Sequence, residues 1–191
     1  MAMVKDIDPR GMQHCETTAL GVLLRHEGLD LSEPMLFGLG SGLSFIYWDS
    51  KGMGFPFLGG RVKPFELARN GIEKTAEQVP KWLQRSDNPQ EDLPRAAVLM
   101  EKGGTGGALF RNLYRDFLAE CAQLIDSAHL RTGHSLYAEA ATLWTQAAAL
   151  MTTAGETGDA ENLVQAGSVL VELTRIERDA MRALSMLQHC S

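Results

Sequence analysis

Several things are scarce in this chain, and each scarcity narrows the reading. There are three cysteines, Cys15, Cys121 and Cys190, with no CxxC pair among them. An odd, scattered set of thiols argues against a disulfide framework and against a cysteine zinc site. No apolar run approaches the roughly 20 residues that a bilayer span needs, so no membrane association is expected. No block of Lys and Arg is present, and phosphate binding rests on clustered positive charge, so nucleic acid is not expected as a partner. The first residues, with Lys5, Asp6, Asp8 and Arg10, lack the apolar stretch of a signal peptide, and the expectation is a cytoplasmic protein. Proline is missing from Leu109 onward. Neither a cofactor nor a metal is indicated.

What is present is ordinary globular material. The 191 residues are 45% hydrophobic and 22% charged, with a formal net charge of -6. That suits one domain of roughly 150–200 residues or two lobes sharing a core.

The spacing predicts a first helix over about Cys15–His26, with Leu20, Leu23 and Leu24 as its inward stripe and Gly28 as its stop. Ser32-Glu33-Pro34 reads as an N-cap with proline near a helix start, opening a short turn to about Leu39. Ser44-Phe45-Ile46-Tyr47-Trp48 is the best strand candidate. The glycine-rich stretch Asp49 to Gly60 reads as loop or hairpin, anchored by Met53, Phe55, Phe57 and Leu58. Helices are expected near Pro64–Asn70, ended by Asn70-Gly71, and near Ala76–Gln84. Ser86 to Pro94 reads as the clearest linker. Ala96 to Met100 is a short strand or a helix start, and Gly103 to Gly107 is a loop. Three long amphipathic helices follow, over about Ala108–His129, Ser135–Thr153 and Asp159–His189, with turns at Arg131-Thr132-Gly133 and Ala154-Gly155. Short connections would stack them as an antiparallel bundle. Trp48, Trp82 and Trp144 read as core or lobe-interface residues. Glu172, Glu177 and Asp179, interleaved with Arg175, Arg178 and Arg182, read as a solvated helix face.

Cys15 is the residue most open to chemistry. It falls where a loop turns into a helix, and the unpaired N–H groups there favour a thiolate. A cysteine at a helix start can equally be a small buried residue. A nucleophile also needs a base. His14 is adjacent and points elsewhere, His26 lies about three turns along, and His129 and His134 flank a turn. The runs Gly38 to Gly42 and Gly103 to Gly107 lack the lysine and spacing of a phosphate loop and read as tight turns.

Four blocks carry a family resemblance. They are Gln13-His14-Cys15-Glu16, then Leu23-Leu24-Arg25-His26-Glu27-Gly28, then Leu31-Ser32-Glu33-Pro34-Met35-Leu36-Phe37-Gly38-Leu39-Gly40-Ser41-Gly42-Leu43-Ser44-Phe45, then Phe55-Pro56-Phe57-Leu58-Gly59-Gly60-Arg61. In that order they resemble the N-terminal domain of the butirosin biosynthesis protein H family. The stretch from Gly104 through Tyr114-Arg115-Asp116-Phe117-Leu118 resembles the helical domain of unknown function that usually follows it. The resemblance implies a papain-like cysteine fold and an acyltransferase of secondary metabolism, acting in antibiotic biosynthesis. Such an enzyme moves an acyl or aminoacyl group from an acyl carrier protein to a small amine. Cys15 would be its nucleophile, and His14, Glu16, Gly40, Ser41 and Tyr47 would shape the substrate pocket. Family members carry sheet strands and a general-base histidine between the last block and the helical domain. Here 62–100 stands in that place and contains no histidine.

The expected fold is therefore α+β and mainly helical. A shortened papain-like remnant (1–85) leads through a linker and glycine loop (86–107) to a three-helix antiparallel bundle (108–191). The alternative function is a catalytically inactive binding or assembly protein. Loss of sheet strands would leave Phe45, Tyr47, Phe55 and Phe57 short of partners, so a homo-oligomer is expected.

Overall fold

The computed structural model describes residues 10–59, 65–102 and 106–189. Helix α1 (Cys15–His26) is capped by His14, which is extended and accepts at Nδ1 from the Thr17 N–H. Helix α2 (Glu33–Leu39) is capped by Ser32, whose hydroxyl accepts from the Met35 N–H at 3.1 Å, with Pro34 in the first turn. A hairpin follows, β1 (Tyr47–Trp48) antiparallel to β2 (Phe57–Leu58), with Tyr47 opposite Leu58 and Trp48 opposite Phe57. Next come α3 (Phe65–Gln78), a 3-10 turn (Val79–Lys81), α4 (Trp82–Arg85) and α5 (Pro89–Lys102). The last three helices are α6 (Ala108–Leu124), α7 (Ala128–Thr157) and α8 (Ala160–Ser185), ending in a 3-10 turn (Met186–His189). The chain is mainly helical, and these two short strands are the sheet seen among the described residues. Pro64, Gly103 to Thr105 and Cys190, named above as a helix start, part of a loop and a free thiol, lie outside the described residues.

Four expected breaks turn out to be helix interior, among them the turn expected at Ala154-Gly155, which lies buried inside α7. Asn70-Gly71 does not stop α3: a Cβ on Gly71 would fall 2.5 Å from the Phe45 carbonyl oxygen, so glycine lets the helix approach the backbone leading into β1. The segment read as a linker forms α5, which buries Leu93, Ala96, Ala97 and Met100. Its interior Pro94 is accommodated because α7 offers Gly155 opposite, where a Cβ would lie 2.7 Å from the Pro94 ring. Tertiary burial outweighs the cost of the proline here. Arg131-Thr132-Gly133 likewise runs inside α7, and Gly133 is buried against Leu184 of α8. The helix starts earlier than expected because Ser127 caps it, accepting from the His129 N–H at 3.2 Å.

Helix α7 is the axis of the fold, with α5, α6 and α8 packed around it and α3 against the far side of α8. Its buried residues are largely Ala140, Ala141, Ala147, Ala148 and Ala154, with Tyr137, Trp144 and Met151 between them. Small residues let neighbouring backbones close in, and the large ones fill the gaps. The expected trio of C-terminal helices thus sits inside a larger helical assembly that includes α3 and α5. Phe45 is fully buried against Trp144, with ring centroids 4.7 Å apart, and Phe55 meets Trp82 at 4.9 Å. Neither ring lacks partners, contrary to the expectation. Trp48, by contrast, is 63% exposed.

Among the described residues one ion pair lies wholly inside. Arg111 Nε donates to Glu177 Oε1 at 2.6 Å and Nη2 to Oε2 at 2.9 Å. Its Nη1 donates to the carbonyls of Ser44, at 3.1 Å, and of Gly106. The guanidinium carbon lies 5.2 Å from the Trp144 ring centre, and the indole N–H donates to Glu177 at 3.4 Å. Glu177 is therefore a core residue rather than part of the solvated face of α8, although Glu172, Arg175 and Arg178 lie toward solvent as expected. Beside this pair, Tyr137 is fully buried, and its hydroxyl has no hydrogen-bond partner among the described residues.

Removing one member strands a buried charge. Arg111→Met is expected to cost about 3–5 kcal/mol in urea unfolding, and Arg111→Met with Glu177→Leu to recover much of that loss. A second expectation concerns alkali. Burial, then the Glu177 carboxylate, pushes the Tyr137 phenol well above its ordinary value, and burial raises Tyr114. The folded state thus holds these protons more tightly than the unfolded chain. Their contribution is complete below the unfolded phenol value of about 10 and is lost as pH rises above it. Tyrosinate absorbance should lag behind that of free tyrosine and appear together with loss of helical circular dichroism.

Candidate functional site

Cys15 is the first residue of α1 and is exposed. The loop that delivers it is tied down by a carboxylate. Glu33, the first residue of α2, accepts the His14 N–H at 2.7 Å and the Thr17 hydroxyl at 3.0 Å on Oε1, and the Gln13 N–H at 3.0 Å on Oε2. The Thr17 hydroxyl proton is shared between Glu33 and the His14 carbonyl, 2.9 Å away, the Thr18 hydroxyl donates to that carbonyl at 2.9 Å, and the Met12 N–H donates to Thr18 at 3.1 Å. One acidic side chain therefore gathers three donors from the entry to α1, and charge-assisted bonds of this kind are the stronger sort.

His14 is only 5% exposed. Its ring stands edge-on to Phe37 of α2 and to Phe110 of α6, with centroids 5.7 and 5.2 Å away. Its Nδ1 accepts from the Thr17 N–H at 3.4 Å. The imidazole acts as a plug joining α1 to the rest of the molecule. Helix α2 is seated on α6 in turn: a Cβ on Gly38 would fall 2.1 Å from the Phe117 ring, and the Ser32 hydroxyl donates to Glu120 at 2.6 and 2.8 Å.

The other candidates are dispersed. Glu16 is exposed beside Cys15. Gly40 closes α2 and Ser41 follows at φ 54, in the left-handed region, at the opposite end of α2 from Glu33. Seven helical residues put those ends about 10 Å apart. Tyr47 belongs to a separate cluster on the hairpin, where its hydroxyl donates to Asp49 at 3.4 Å and accepts from Arg85 at 3.5 Å. Hydrogen bonding from the paired Arg85 guanidinium holds the Asp49 carboxyl below its usual range, while burial and then Asp49 push the Tyr47 phenol up. That cluster pins the hairpin; β1 packs on α3, away from α1.

Among the described residues no imidazole is hydrogen-bonded to the Cys15 sulfur, and no cluster of His, Cys, Asp or Glu could hold a metal ion. Nor is any described helix long and apolar enough to cross a membrane. Cys121 is half-buried on α6, and burial, then the Glu120 charge, raises its thiol. Helix α1 itself is turned from the expected orientation. Thr17 and Gly21 are its buried residues, whereas Leu20 and Leu23 are 41% and 61% exposed. Gly21 faces inward because Met12 and Leu36 crowd it, at 2.9 and 3.1 Å from a Cβ there. Cys15, Ala19 and Leu23, at i, i+4 and i+8, consequently line one exposed face, with Leu20 beside them.

The fold defines a mainly helical domain built around α7, with a small N-terminal unit bearing an exposed thiol fastened to it. The chain belongs to the family of the domain of unknown function DUF4872, whose profile matches residues 67–184. The match reaches back through α5 into α3, beyond the Gly104 start suggested by the resemblance, and it contains both Arg111 and Glu177. No curated protein matches the chain. No solved structure matches it either.

Glu33→Ala is expected to remove hydrogen-exchange protection at the Gln13 and His14 amides. The loss should be about 1–3 kcal/mol, and roughly 2–4 °C of melting temperature for each kcal/mol in a chain of this size. Glu33→Gln, which keeps one acceptor oxygen, should lose less on both measurements.

Proposed function

We propose that the chain is a cysteine-dependent acyl-transfer protein of secondary metabolism whose site is completed by another chain. The observation supporting this reading is the position of Cys15, exposed on the first turn of α1 at the head of an apolar face formed by Ala19, Leu20 and Leu23. A thiol so placed is open to the thioester of an acyl carrier protein. Its sulfur would bond to the acyl carbon as the carrier's thiol leaves. A small amine would then take the acyl group, and the cysteine would regain its proton. In this reading residues 1–85 are a shortened papain-like unit in a cytoplasmic protein. The missing imidazole and the cover for the apolar face come from a second copy of the chain.

A second reading, a non-catalytic assembly protein, is favoured by the commitment of His14 to the α1 cap and of Glu33 to the loop. Incubation with an acyl-pantetheine thioester separates the two. Acyl transfer predicts an added acyl mass on the intact chain, absent in Cys15→Ser. No added mass, with Cys15 still alkylated by iodoacetamide faster than Cys121, leaves the assembly reading. Both readings require association, and light scattering that gives one chain's mass across the micromolar range would defeat both.

A further inference from the structure

The hairpin and α5 border a hollow of about 260 Å³ that no residue of α1 lines. Phe55, Pro56 and Leu58 form one wall, and Ala96 and Leu99 the other. Part of the Phe55-Pro56-Phe57-Leu58 block thus lines a cavity. The walls are preformed: Phe55 is braced edge-on by Trp82, and the Arg85–Asp49 pair fixes the hairpin on α4. Phe57 and Leu99 stand 49% and 42% exposed at the hollow.

Two charged groups also line it. Asp92 and Arg95 lie on the same face of α5 as Ala96 and Leu99, three or four residues apart along the helix. Asp92 is already engaged, since its carboxylate accepts the Ser86 hydroxyl at 2.6 Å. Arg95 has neither an ion-pair nor a hydrogen-bond partner among the described residues. Asp92 keeps its charge in that bond, so the hollow carries one carboxylate already bonded to Ser86 and one guanidinium whose donors are still to be met.

We propose that this hollow binds a compact anionic amphiphile, a carboxylate with a short apolar tail. The tail would lie between the hairpin and α5, and Arg95 would hold the carboxylate by paired N–H bonds. The volume falls below the 300–1,000 Å³ or so of drug-sized pockets, which limits the tail to a short acyl or single aromatic group. A cation would meet Arg95 with like charge and would have to displace the Ser86 hydroxyl from Asp92, and a neutral tail would leave the guanidinium without a partner.

Calorimetric titration of the full chain with octanoate, octylamine and octan-1-ol tests the assignment. Octanoate is expected to bind one-to-one and about tenfold or more tighter than either of the others. Arg95→Gln, at an exposed position, should bring octanoate down to the affinity of octan-1-ol without moving the unfolding midpoint. Cys15→Ser should change nothing, which separates this site from acyl transfer. Equal binding of octanoate and octylamine overturns the proposal, as does an unchanged affinity in Arg95→Gln. Absence of octanoate binding up to millimolar concentration overturns it too, including the case where a second copy covers the hollow.

Discussion

The molecule is organised around a guanidinium that has no route to water. Arg111 is completely buried, and each of its polar contacts comes from a different part of the chain: the segment before the hairpin, the turn before α6, and α8. A buried pair of this kind returns little net stability, because desolvation offsets most of the attraction. What it contributes is selectivity among arrangements. An apolar core tolerates sliding of one helix along another, whereas an unpaired buried charge does not. With the guanidinium fixed between two carbonyls and a carboxylate, α6 and α8 have one relative register, and the backbone at Ser44 has one place to run.

The same economy operates on a smaller scale at the N-terminal unit. Its attachment rests on the His14 ring between two phenylalanines and on one carboxylate holding three donors. The Cys15 side chain takes no part in that attachment. Cys15 is exposed while its neighbours anchor it, which separates the thiol from the structural work of the loop. The anchoring uses residues whose types would otherwise suggest catalysis, a histidine and a glutamate.

Much of the helical framework was legible from spacing and caps. The limits of α1 and the Ser32 cap follow from local chemistry that the structure retains. The failures share a cause. Asn70-Gly71, Pro94 and Gly133 are locally breaking residues, yet each sits where a neighbouring element needs close approach, and no local pattern distinguishes a slot from a stop. Leu20 and Leu23 were misplaced because periodicity finds the apolar face of a helix but not whether anything covers it. Glu177 does carry a local signal. It falls on the stripe of Leu163, Leu170, Leu173 and Ala180, where a charged residue implies a buried partner. For Glu33 no comparable signal exists, since its three donors are 16 to 20 residues away.

The length of chain spanned by the Arg111 contacts bears on synthesis. Its partners at Ser44 and Glu177 lie 67 and 66 residues away on either side. While the polypeptide leaves the ribosome, the first of these can be met as soon as α6 is out, but the neutralising carboxylate arrives only with α8. Until then the arginine must stay wet, which holds the half-made core open and delays its closure until the last long helix has been translated.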